Sequence, residues 1–123
     1  LMRTEKIQRA VIVSAIGSLE NVSFRNLKKN IELPVTLEKT ELTEIKGPLE
    51  LLSLEGSMMP MEGKPFFHLH GMFGTTAGEV VGGHMFSGRV YTTLEITFAE
   101  MKDCTIVKAK DNETGLPEYT VTS

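Results

Sequence analysis

Lys64-Pro-Phe-Phe-His-Leu-His-Gly-Met-Phe-Gly74, then Thr75-Thr-Ala-Gly-Glu79, then Val80-Val-Gly-Gly-His-Met-Phe-Ser-Gly-Arg89 is the stretch that decides how this chain folds. It carries all three histidines of the protein, His68, His70 and His84. On a strand, residues i and i+2 project from one face, so His68 and His70 look the same way. The same spacing on a helix would splay them apart. Two apolar runs joined by a short Gly-containing segment read as a β-hairpin, which returns His84 towards the other two. Register then matters, because directly opposed residues of an antiparallel pair share a face. With Thr75 to Gly78 as the loop, His70 opposes Gly83 and His84 points to the wrong face. An odd-numbered loop repairs this, and so does a bulge at Gly82-Gly83. Without either, His84 serves another subunit.

Outward from the hairpin, strands dominate. Ala10 to Ile16 is short, continuous and rich in β-branched residues, the pattern of a strand buried on both faces. Gly17-Ser18 is expected to end it, with a second strand over Val22 to Asn26 and a linker over Lys28 to Pro34. Thr36 to Ile45 alternates threonine and charge with apolar residues, as an edge strand does. Gly47-Pro48 reads as a turn, Leu49 to Gly56 as a strand, and Ser57 to Gly63 as a loop holding Met58, Met59 and Met61. Beyond the hairpin, Val90 to Phe98 places Leu94, Ile96 and Phe98 on one face. Cys104 to Ala109 is a further strand, Asp111 to Gly115 a turn, and Leu116 to Val121 a last short strand. Leu1 to Arg9 reads as the final turns of a helix. The expectation is an α+β domain over residues 1–123, with a mostly antiparallel central sheet and one or two helices.

Composition narrows the partners. The 123 residues are 41% apolar and 24% charged, ordinary values for a globular chain, with net charge −3. That balance suits nucleic acid poorly, since phosphates are held by Lys and Arg. The best local basic patch has only Arg25, Lys28 and Lys29. A single cysteine, Cys104, allows no intrachain disulfide, which fits a reducing, cytoplasmic setting. No apolar run approaches the ~20 residues of a membrane-spanning helix, and no signal-peptide pattern opens the chain.

Three converging imidazoles suit a divalent transition ion, with Zn²⁺ favoured, and leave a coordination position open. A closed structural zinc site would need more thiolates than one cysteine supplies. Against this stands the plainer reading of His68 and His70 as half-buried sheet residues. A carboxylate as fourth ligand, or as an outer partner fixing a tautomer, comes from Glu50, Glu55, Glu79 or Glu95. Glu50 is preferred because its strand is otherwise apolar. Met58, Met59 and Met61 are soft enough for Cu(I), but packed apolar side chains are the commoner use of methionine. Nucleophilic catalysis has little support, since G-x-S-x-G, P-loop and G-x-G-x-x-G patterns are absent.

Ser14-Ala15-Ile16-Gly17-Ser18-Leu19, Gly47-Pro48-Leu49-Glu50-Leu51-Leu52-Ser53-Leu54-Glu55-Gly56, Gly63-Lys64-Pro65-Phe66-Phe67-His68-Leu69-His70 and Gly82-Gly83-His84 come in that order. Together they resemble the plant and prokaryote conserved (PPC) domain, and Glu113-Thr114-Gly115-Leu116 resembles its prokaryotic members. The resemblance runs from Ala10 through nearly the whole chain. It implies a compact α+β fold assembled as a homotrimer, with His68, His70 and His84 as a metal site. The family's N-terminal strand and first helix are expected to be missing or cut short before Ala10. In plants the domain follows an AT-hook that grips the DNA minor groove, and this chain has no such Arg-Gly-Arg-Pro hook. The favoured function is a metal-binding trimeric module with a regulatory or DNA-associated role, its own hold on DNA weak. The rival is a small metal-dependent enzyme using the open position, and an incidental histidine cluster in a structural trimer is the third reading.

Overall fold

Residues 3–122 are described by a computed structural model. Six strands follow one another: β1 Ala10–Leu27, β2 Thr40–Met61, β3 Lys64–Gly74, β4 Val80–Glu100, β5 Ile106–Lys110 and β6 Pro117–Val121. They form one mixed sheet in the order β1-β4-β3-β2-β5-β6. β1 also pairs with β2, so β1, β4, β3 and β2 close into a ring. Every pairing is antiparallel except β2–β5, which is parallel at Met61 opposite Lys108.

The expected α+β class is overturned: the described residues contain no α-helix, only a 3₁₀ turn at Leu37–Lys39. The helix expected over Leu1 to Arg9 is not seen either. Leu1 and Met2 lie outside the described residues, and Arg3 to Lys6 is a turn closed by Lys6 N–H donating to the Arg3 carbonyl at 3.2 Å.

The sheet is larger than expected because residues that usually break strands here bend them. Gly17 does not end β1. A Cβ there would lie 2.2 Å from the Thr93 carbonyl oxygen, so glycine admits β4 at close approach and β1 runs on. Gly47-Pro48 is not a turn but a bulge inside β2: Leu19 opposes Leu49, and Asn21 then opposes Lys46. The segment from Thr36 begins as the 3₁₀ turn and becomes strand only at Thr40. The methionine segment is strand too. Met61 opposes Lys64 across a two-residue turn, Glu62 at φ 50° and Gly63 at φ 75°, both in the left-handed region such turns need.

The inward face of the ring is apolar. Ala15, Leu19, Val22, Phe24, Leu49, Leu51, Leu54 and Phe73 form the core, with Phe73 fully buried at its centre. Met58 and Met59 are equally buried and act as packed apolar side chains. The β5–β6 hairpin is fastened to the ring at several points. Arg9 Nε donates to the Ile106 carbonyl at 2.6 Å, and Val35 N–H to the Thr114 carbonyl at 2.7 Å. Its turn is organised by Asp111, whose carboxylate accepts the Thr114 N–H at 2.7 Å. That bond holds the carboxyl below its ordinary pKa.

Candidate metal centre

The β3–β4 hairpin sets the site. Its loop is Thr75 to Glu79, because Gly74 opposes Val80. Thr75 N–H donates to the Glu79 carbonyl at 2.8 Å, and Gly78 N–H to the Thr75 carbonyl at 2.9 Å. This loop is odd-numbered, so His70 falls directly opposite His84 and both project from the same face. The Gly82-Gly83 bulge is not used: the pairing runs unshifted from Gly74 to His70.

The three imidazoles meet outside the ring. One ligand nitrogen from each of His68, His70 and His84 lies within 4.8 Å of the others. Ring centroids are 5.1 Å apart for His68–His70 and 5.3 Å for each of the two pairs with His84. His68 Nε2 and His70 Nε2 are 3.1 Å apart. A tetrahedral ion with bonds of about 2.0–2.1 Å holds its nitrogens about 3.3 Å apart, so this pair already has the spacing of two ligands. The set of borderline nitrogen donors, partly shielded and free of thiolate, fits a divalent transition ion.

Electrostatics favour the neutral, ligating form. Burial pushes His68 below the ordinary imidazole value, and Lys108 and then the other two rings add to this, with Glu118 opposing. His84 is lowered by burial first and by His70 second.

His84 is also held from β1. Asn26 Nδ2 donates to the Gly82 carbonyl at 3.1 Å, and Asn26 Oδ1 accepts the His84 N–H at 3.1 Å. The side-chain amide thus replaces one step of backbone ladder beyond the Phe24–Met85 pair, where the β1–β4 pairing stops. Gly83, at φ 155°, leaves it room: a Cβ there would sit 1.8 Å from Asn26 Oδ1. No local pattern in the sequence signals this contact, because Asn26 and His84 are 58 residues apart.

The carboxylates fall out differently. Glu50 opposes Gly74, four residues from His70 and so about 13 Å along the strand. It lines a separate cleft with Ser18, Tyr91 and Thr92. Glu95 opposes Ile16 on β1, and Glu79 ends the hairpin loop. Glu55 is directly opposite His70 on the histidine face. Reading Glu62-Gly63 as a two-residue turn would have given that register from the sequence. Beside His70 opens a groove of about 450 Å³ lined by Ser53, Glu55, Met72, Val80 and Gly82. The other flank comes from β2 and the last hairpin. Ser57 opposes His68, and its Oγ is 2.9 Å from the Tyr119 hydroxyl.

Fold and site together define a β-sheet domain bearing a cluster of three imidazoles on its outer face. The chain belongs to the Plants and Prokaryotes Conserved (PCC) domain family, whose model matches residues 1–102. It is similar in structure to the plant- and prokaryote-conserved protein of Pyrococcus horikoshii, with TM-score 0.82 and 30% identity over 99% of this chain and 79% of that one. A metal-containing protein of Archaeoglobus fulgidus is similar at TM-score 0.73 and 28% identity, over 97% of this chain and 79% of that one. A protein of Ralstonia eutropha JMP134, provisionally called DNA-binding, shares the fold at TM-score 0.82 and 23% identity, over 98% and 78% of the two chains. Among curated sequences, the bifunctional protein GlmU of Synechococcus sp. (strain JA-3-3Ab) is 31% identical over 117 residues, 94% of this chain. The chain spans only 17% of that relative's length.

Proposed function

We propose that this chain is a metal-binding module that holds one divalent transition ion per subunit, Zn²⁺ by its donor chemistry, on His68, His70 and His84. The observation that carries the reading is the convergence of the three ligand nitrogens within 4.8 Å. The metal-containing relative from Archaeoglobus fulgidus supports it. When bound, the ion offers an open coordination position to water or to a ligand oxygen. The three side chains would hold it, Asn26 fixes the backbone at His84, and burial favours the neutral form of His68 and His84.

The module is proposed to work as a homotrimer. Val13, Ile16, Phe86 and Tyr91 on β1 and β4 are each more than half exposed, apolar surface that a partner subunit would cover. A regulatory role on DNA is read as reaching DNA through a partner. Net charge is −3, and the Arg25 guanidinium is engaged, 5.6 Å over the Phe86 ring and 3.1 Å from Thr40 Oγ1. The groove beside His70 supports the second reading, a metal-dependent enzyme with Glu55 as its acid or base. The module is preferred because the Glu55 side chain is exposed.

The test is elemental analysis of the purified protein with light scattering on a sizing column. About one ion per chain and a mass about three times 13.6 kDa are expected. His70→Ala should lose most of the ion, since two imidazoles hold far less well than three. Equal metal in both proteins, or none in either after supplementation, sinks the reading.

A further inference from the structure

Lys108 on β5 carries a charged group yet is only 6% exposed. A buried ammonium is costly unless its three donors find partners. Here Nζ has the Pro117 carbonyl at 3.4 Å, long for a hydrogen bond, and the face of the Tyr119 ring at 4.0 Å from its centroid. The ion pairs found among the described residues, Arg89–Glu20 and Lys102–Glu100, do not involve it. Lys108 therefore packs its side chain largely out of water with donors to spare.

Its position connects it to the histidines. Lys108 and Tyr119 are opposed across β5–β6, the Tyr119 hydroxyl is 2.9 Å from Ser57 Oγ, and Ser57 opposes His68. These contacts place the Ser57 and Tyr119 hydroxyls on the flank of the trio away from the groove, with the Lys108 Nζ over the Tyr119 ring behind them. The β5–β6 hairpin supplies this flank.

We propose that Lys108, with the hydroxyls of Tyr119 and Ser57, forms an oxyanion-binding subsite at the histidine trio, for a small ligand whose carboxylate or phosphate is also bound by the ion. The inference rests on the metal reading above and names the class of ligand that the module receives. An oxyanion bridging the ion and the ammonium would supply Lys108 with the partner it lacks, and charge-assisted hydrogen bonds are the strong ones. Tyr119 is more than half exposed. The groove on the other side of His70 leaves space for the rest of the ligand.

The test uses the full chain loaded with Co²⁺, whose visible spectrum reports a change in its ligands. Inorganic phosphate is titrated in one arm and acetate in the other, and the tighter arm identifies the class of anion. Lys108→Met should keep the ion and weaken anion binding about tenfold or more, since the lost interaction is charged. Replacing a buried ammonium by an apolar side chain of similar length usually leaves stability near neutral. Tyr119→Phe, at an exposed position, provides the second variant if the first folds poorly, and it should weaken the same anion severalfold. Ion retained with anion affinity equal in wild type and both variants overturns the subsite and leaves the metal reading standing. Ion retained with no anion bound by wild type does the same. No ion in wild type overturns both.

Discussion

Asn26→Ala isolates the contact that reaches across the sheet to the third histidine. The side chain makes two hydrogen bonds at 3.1 Å, one to the Gly82 carbonyl and one from the His84 N–H. Each neutral bond is worth about 0.5–1.5 kcal/mol net, and Asn26 is exposed, so the lower half of that range applies. The pair together should cost about 1–2 kcal/mol. No backbone ladder lies behind them, because the β1–β4 pairing ends at Phe24 opposite Met85. The loss therefore falls on the strand segment that carries His84. If all of it goes into ordering that ligand, ion affinity drops about tenfold, at 1.4 kcal/mol per decade. His70→Ala removes a ligand outright and should cost far more. The assay is competition against a chromophoric chelator at neutral pH, beside thermal melts of the metal-free proteins. An Asn26→Ala protein that binds the ion as wild type does, while His70→Ala loses it, would refute the claim that Asn26 positions His84.

Two further outcomes follow from the same geometry. Burial lowers His68 and His84 below the unfolded imidazole value near ~6.5, so the unfolded chain takes up protons first as pH falls. The stability these groups contribute is fully present above that value and is lost as pH drops from it to the folded values. Ion occupancy, which needs neutral rings, should persist to lower pH than free imidazole allows. Melting temperature and metal content measured across that range check both, and occupancy lost at or above ~6.5 contradicts the burial argument. Gly82→Ala should separate β3 from β4 beside His84, since its Cβ would lie 2.1 Å from the Gly71 carbonyl oxygen, a backbone atom with no room to yield. A loss of about 1–3 kcal/mol or more by chemical denaturation, together with loss of the ion, is expected; wild-type behaviour in both refutes the close approach.

How much of this was legible in the chain follows from how far each determinant reaches. The histidine hairpin is local: i, i+2 spacing fixes one face for His68 and His70, and the parity of a loop decides whether His84 joins them. The sequence carried the first fact and left the second open between an odd loop and a bulge, which the pairing of Gly74 with Val80 decides; it also carried the family through its ordered motifs. The α+β expectation failed because no α-helix forms among the described residues, and the strand ends were misplaced because glycine and proline have two uses. Gly17 and Gly47-Pro48 look like stops, but whether a strand ends or bends there depends on another strand lying against it, Thr93 for Gly17 and Leu19 for Gly47. Local propensity contains no information about such a neighbour. The same limit hid the flanks of the site. Glu55 required the exact turn at Glu62-Gly63 to be known, since one residue of slip moves a whole strand to the other face. Asn26 and Lys108 needed more, because ring closure brings Asn26 to His84 and the parallel β2–β5 pairing docks the last hairpin, with Lys108 and Tyr119, against β2. Near-neighbour spacing therefore determined which residues form the cluster, while long-range strand pairing alone decided what surrounds it and holds it in place.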